Sequence, residues 1–303
     1  MTEAPASDQP AIALADTLDE ARLRQVFPGA PTDLAVPRDV GSMFRARLRG
    51  LGGARRTLLI VAWVLLLAAA GGMVLGGHAF GGVALGVTIL VVTLGVVLWQ
   101  HSKASKEFFA AYARARGLTL TEDARESAAV PLFGRGDKRE WTRVLRGAIA
   151  GQQASIAHYT YTDVSTDSEG NRTESDHDFT TLSLSLPAAV ANRFVGVSLA
   201  PRSWSLGALQ DALSHDRKVE LESAEFARRY HLRVVDEQDD IALYELFSTT
   251  FVHTLATELE VYWEQRGGDL VVWRSGHETG AAELDRMCLE AWHVLHRYLQ
   301  EDR

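Results

Sequence analysis

The chain of 303 residues has a single cysteine, Cys288, so no internal disulfide can form. Its fold therefore does not depend on an oxidising compartment. Lysine is also scarce: four residues against 27 arginines, a bias that suggests a GC-rich bacterial genome. The net charge of -8 leaves no excess of cations. That excludes a general nucleic-acid binder, which needs a basic face to neutralise phosphates. Catalytic signatures are lacking as well. No Gly-x-Ser-x-Gly elbow occurs. Gly134-Arg135-Gly136-Asp137 has Arg139 where a dinucleotide loop needs its third glycine, and it reads as a plain turn. The start of the chain is acidic and rich in Pro and Ala, without the apolar core of a secretory leader.

The largest absence is of charge. No Asp, Glu, Lys or Arg occurs between Arg56 and Lys103. Two apolar runs fill this gap, at 57–75 and 80–99. Each is about 20 residues, which as helix spans a hydrocarbon core of ~30 Å. Gly76, Gly77, Gly81 and Gly82 bracket His78 between them and leave almost nothing for a loop. The expectation is a transmembrane helical hairpin over 57–100. Without ionisable groups in its spans, it does not suit an ion pathway or a transporter. Gly72 and Gly76 are four apart, as are Gly82 and Gly86. That spacing lets helix backbones approach closely, within the hairpin or between two copies of the chain.

Cations flank the hairpin on one side. Arg45, Arg47, Arg49, Arg55 and Arg56 form a basic juxtamembrane segment within 41–56. Lys103 and Lys106 follow the second run. The positive-inside rule then places both termini in the cytoplasm of a multi-pass protein of a bacterial inner membrane. Trp99 suits the interface, and the flanking cations suit anionic headgroups.

The remaining polar chain is long enough for one substantial core. Residues 1–40 read as a mobile acidic tail with a short helix near 18–27, and 104–303 as a cytosolic domain. Gly117 stops a helix that continues from the second run. Strands are expected at 118–120, 143–149, 154–162, 179–186, 194–199, 219–221 and 231–235. Residues 163–178 read as an exposed acidic loop. Residues 206–213 suit a helix, Ser223 caps another over 224–230, and Asp239 or Asp240 caps one over 241–259. The glycine pair Gly267-Gly268 sits between two β-rich runs, 261–265 and 270–274, a hairpin signal. Residues 281–299 carry an apolar stripe of Leu284, Cys288, Trp292 and Leu295. The fold class is α+β, with a mainly antiparallel sheet and packed helices.

Several groups invite chemistry and have a simpler reading. His293 and His296, with Glu290 a turn earlier, have helical metal-ligand spacing but not the zincin pattern. Asp163, Asp167, Glu169, Asp176 and Asp178 lack EF-hand spacing and read as a solvated loop. Asp236, Glu237, Asp239 and Asp240 complement a helix N-terminus. No cofactor or metal is expected. Tyr159 and Tyr161 share one strand face and are the candidates for lining a ligand cleft.

The order of features carries a resemblance. Pro131-Leu132-Phe133-Gly134, Val144-Leu145-Arg146-Gly147 and His158-Tyr159-Thr160-Tyr161 follow the hairpin, and Leu232-Arg233-Val234 comes later. This arrangement is similar to a group of uncharacterised bacterial two-span membrane proteins with a C-terminal cytosolic domain. The resemblance implies that architecture and brings no catalytic residue. The functional expectation is a membrane-tethered interaction or regulatory domain, without catalysis, acting on an unknown protein partner. A membrane-held sensor of a small ligand or lipid is the alternative, and an enzyme stands behind both.

Overall fold

The computed structural model describes residues 20–31, 36–50, 63, 79–122, 126, 129–202 and 216–300. Contacts divide the chain into two units. One comprises Ala30–Thr121 with Glu278–Leu284; the other comprises Met1–Gly29, Glu122–His277 and Asp285–Arg303.

The first unit is built on two helices, α2 (Val40–Gly50) and α3 (Ala79–Ala115). Asp39 caps α2: its carboxylate accepts the Ser42 amide at 2.5 Å, and Ser42 Oγ returns a bond to the Asp39 carbonyl. Arg38 and Val40 exchange backbone bonds with Ala281 and Thr279. Helix α3 runs through the second predicted span and beyond it, as its unbroken pattern suggests. Its part from Ala84 to Ala115 is long and apolar enough to cross a membrane. Leu90, Val91, Leu94 and Leu98 on it are exposed. After Trp99 the helix changes character, and Ala104, Phe108, Phe109 and Tyr112 are buried. Gly117, at φ 69°, ends the run, with the Leu118 amide reaching back to Ala113. A short strand, β1 (Thr119–Thr121), follows. The first predicted span, 57–75, lies outside the described residues apart from Trp63, so one apolar helix is described where two were expected.

The second unit is α+β. Its strands are β2 (Lys138–Ile149), β3 (Gln152–Thr166), β4 (Arg172–Ser185), β5 (Gly196–Pro201), β6 (Arg217–Val219), β7 (Tyr230–Val234), β8 (Tyr262–Arg266) and β9 (Asp269–Ser275). They lie in the order β2-β3-β4-β9-β8-β5-β7-β6, and every pairing is antiparallel. The turn between β8 and β9 is the predicted glycine pair, with φ of 56° and 89°. Ala150 and Gly151, both at positive φ, join β2 to β3. Helix α1 (Glu20–Val26) falls within the stretch expected to be a tail, yet Val26 and Phe27 are buried. The Val26 carbonyl accepts the Ala150 amide.

Two expectations change. Residues 163–178 are mostly strand rather than loop: β3 and β4 stay paired out to Thr166 and Arg172. Both faces of this ribbon meet solvent, so its sequence carries no alternation to read. The helix expected over 241–259 is two helices, α6 (Asp240–Leu246) and α7 (Thr249–Thr257). Asp239 caps the first as predicted, but Ser248 caps a fresh start by accepting the Phe251 amide. The two shorter helices before them are α4 (Ala188–Arg193) and α5 (Ala224–Arg229), the latter capped by Ser223. The predicted helix at 206–213 lies outside the described residues. Helix α8 (Ala281–Gln300) is as the stripe foretold.

The sheet has two unlike faces. One is covered by helices: Phe247 and Phe251 pack on Trp263, whose indole N–H donates to Tyr298 of α8 at 3.2 Å. The other carries an aromatic cluster of Phe133, Tyr159, Tyr161, Phe179 and Trp273.

Candidate functional site

The aromatic cluster is closed by the segment that follows Val130. A 3-10 turn, Pro131–Gly134, sets Leu132 and Phe133 onto Tyr159, whose hydroxyl donates to the Leu132 carbonyl. Arg135 then points inward and pairs with Glu264 at 3.5 Å, both side chains 3 % exposed. Glu264 also accepts the Leu132 amide at 2.6 Å. Burial pushes the Glu264 carboxyl up, against the pull of Arg135 and that amide. Gly136 completes the turn at φ 69°, where a Cβ would stand 2.9 Å from Tyr161. The Gly134–Asp137 stretch is thus a structural clamp. Arg139 ties it by donating to the carbonyls of Gly134 and Arg135.

Tyr159 and Tyr161 lie within this cluster and are buried. Desolvation raises both phenols above their usual range. Both belong to the core cluster beside Phe133, Phe179 and Trp273.

An open cavity does occur on the same face, toward the β8–β9 turn. It measures about 450 Å³ and is lined by Glu126, Arg146, Gln153, Ser155, Ser183, Ser185 and Asp269 with neighbouring backbone. The register explains why these side chains meet. Arg146 pairs with Ser155, Ser155 with Ser183, and Ser185 with Asp269. A bulge between Thr142 and Leu145, with Arg143 at φ 53°, shifts β2 by one residue. Without that shift Arg146 would face the helices, since Trp141 already points to the aromatic side. Arg146 sits 3.4 Å from Glu126. Burial first, and the nearby Glu126 second, push the Asp269 carboxyl up. Ser183 Oγ is buried and makes no hydrogen bond among the described residues. Sequence reasoning missed this site: Ser155, Ser183 and Ser185 fall within the strands expected at 154–162 and 179–186 and belong to no motif.

The other singled-out residues are dispersed. His293 and His296 both lean on Trp292, and Glu290 pairs with Arg274 at 2.5 Å. His158 stacks on His277 at 4.3 Å, and His277 stands 3.6 Å from Asp178. Among the described residues, no three His, Cys, Asp or Glu side chains gather as a metal site. The acidic residues of 163–178 are strung along the ribbon, Asp163 beside His177 and Asp176 bonded to Thr162. Asp167 receives the amides of Glu169 and Asn171 at the ribbon's tip, and the Asn171 bonds hold its carboxyl below the usual range. Cys288 is buried.

In the helical unit, Arg47 bonds Gln100 at 2.8 Å and pairs with Glu107 of α3. Lys103 lies 3.7 Å over the Trp99 ring. Arg45 lies on α2 and Lys106 on α3. Arg55, Arg56, Gly72 and Gly76 lie outside the described residues, and nothing is described of the Arg49 side chain. Gly82 and Gly86 are in α3, and the space a Cβ would take at Gly86 is open.

Comparison with known proteins finds no matching family model, no matching curated protein and no matching solved structure.

Proposed function

We propose that the chain is a membrane-anchored regulatory domain that works by binding rather than catalysis. In this reading 57–75 and 80–99 form a two-span hairpin in a bacterial inner membrane. Both termini are cytoplasmic, and the α+β unit meets a protein partner there. The architecture is that of the uncharacterised two-span bacterial proteins the sequence resembles. The observation that carries the reading is α3, whose exposed Leu90, Val91, Leu94 and Leu98 suit lipid better than water. The Trp99–Lys103 contact suits the bilayer interface, where a ring and an ammonium both find their solvent.

Reporter fusions test it. A periplasm-dependent phosphatase is fused after His78, and a fluorescent protein that matures only in the cytoplasm is fused after Arg303. Both should be active, and the intact chain should stay with membranes through alkaline carbonate washing. Recovery in the aqueous fraction would end the membrane reading.

A second reading is favoured by a specific observation. The polar cavity between β2, β3, β4 and β9 suits a sensor of a small ligand, because its volume falls in the range of ligand sites.

A further inference from the structure

We propose that the cavity binds a hydroxylated organic cation, its ammonium held at Asp269 and its hydroxyl groups at Ser155, Ser183 and Ser185. This deepens the sensor reading and rests on it.

Charge selects the class. The ionisable lining is two carboxylates and one guanidinium, a balance of one negative charge. Arg146 is engaged with Glu126, so the excess lies with Asp269. The Asp269 carboxyl is already burdened by burial and by its acidic neighbour, against a hydrogen bond from the Ala129 backbone. A cation placed there relieves that repulsion, and an anion would add to it. A bare divalent metal is a poor occupant: among the described residues no three His, Cys, Asp or Glu side chains gather to hold one.

The neutral lining selects the rest of the ligand. Hydroxyl and amide groups of Ser155, Ser183, Ser185 and Gln153 form a polar floor. Ser183 is nine-tenths buried, and its oxygen has no hydrogen-bond partner among the described residues. Such a group costs stability unless something meets it. Hydroxyl groups both donate and accept, which matches serines whose protons can rotate. A purely aliphatic ammonium would leave that floor unanswered.

Calorimetric titration of the full chain in detergent, near neutral pH, tests the proposal with three probes of one shape. Glucosamine carries the ammonium, glucose replaces it with a hydroxyl, and glucuronate keeps the ring and carries a carboxylate. Glucosamine should bind about tenfold tighter than glucose, the scale of a hydrogen bond to a charged group. Asp269→Asn should remove that preference, and Ser183→Ala should weaken both sugars about fivefold. Equal binding of glucosamine and glucose, a preference for glucuronate, or a preference that survives Asp269→Asn would overturn the ligand class while leaving a sensor. Failure of all three probes to saturate would overturn the class and the sensor reading together. Unchanged thermal unfolding of both variants separates loss of binding from loss of fold.

Discussion

Trp263 and Glu264 are neighbours on β8, and both are buried, yet they face opposite sides of the sheet. Trp263 lies under helices, touched by Phe247, Phe251 and Tyr298, and its one polar atom is satisfied. Glu264 lies under a segment without regular helix, held by Arg135 and the Leu132 amide. The difference lies in how each cover is specified. Apolar contact is forgiving of direction. A charged pair in a low dielectric is not, and it fixes where the 131–135 segment must sit. The same face then opens into a polar cavity only two residues from the aromatic cluster, Val271 being in the cluster and Asp269 in the cavity wall.

Truncation on each face should separate the two mechanisms. Trp263→Ala should cost about 3–5 kcal/mol of unfolding free energy, through lost transfer energy and an unfilled cavity. Glu264→Ala should cost about as much, because it takes the Glu264 carboxylate away from a buried guanidinium. Conservative replacements then diverge in denaturant titrations. Trp263→Phe should recover most of the loss, since a smaller ring still fills apolar space. Glu264→Gln should recover only the part due to the Leu132 bond. Full recovery by Gln would mean that the polar face is held by shape as the other is.

A backbone test of the same clamp is smaller. Gly136→Ala meets Tyr161 and the Thr162 carbonyl at 2.9 and 3.0 Å from a position of positive φ. It should destabilise by about 1–3 kcal/mol. An unchanged denaturation midpoint would show that the turn yields easily and that Arg135 alone orients the segment.

Protons offer a third contrast, now on α8. Burial first, and Arg22 next, push the His293 imidazole below its ordinary value near 6.5. The unfolded chain then takes up the proton before the folded one does. Stability therefore falls as pH drops below about 6.5 and levels off once the folded imidazole is also charged. His293→Gln should flatten that part of the profile in thermal melts across pH 5 to 8. The same slope in both proteins would assign it to other groups.

Much of this architecture was legible from residues alone, and the exceptions share a cause. The Gly267-Gly268 turn, the α8 stripe and the caps at Ser223 and Asp239 are local signals, complete within a few residues. The β3–β4 ribbon was hidden because two solvated faces erase the period of two. Ser248 was hidden because a helix break can be made by one hydroxyl in an otherwise apolar pattern. The Arg135–Glu264 pair and the cavity depend on strand order. No spacing in the sequence brings Arg146, Ser183 and Asp269 to one place; the bulge at Arg143 and the insertion of β9 beside β4 do.

The smallest expected effect lies where neither face is involved. Ala150 occupies a left-handed position, φ 53°, in the turn between β2 and β3. A side chain there costs about 1–2 kcal/mol, which glycine avoids at the expense of a more flexible unfolded chain. Ala150→Gly should therefore stabilise by roughly 0.5 kcal/mol, keeping its amide bond to the Val26 carbonyl. Because the turn is set by backbone geometry, this gain should add to the loss from Trp263→Ala and to that from Glu264→Ala alike. Additivity with one and not the other would show that the turn is coupled to a face after all. If it is coupled to Glu264, the polar cover and the β2–β3 hairpin form as one unit, and the contrast between the faces extends to the strands beneath them.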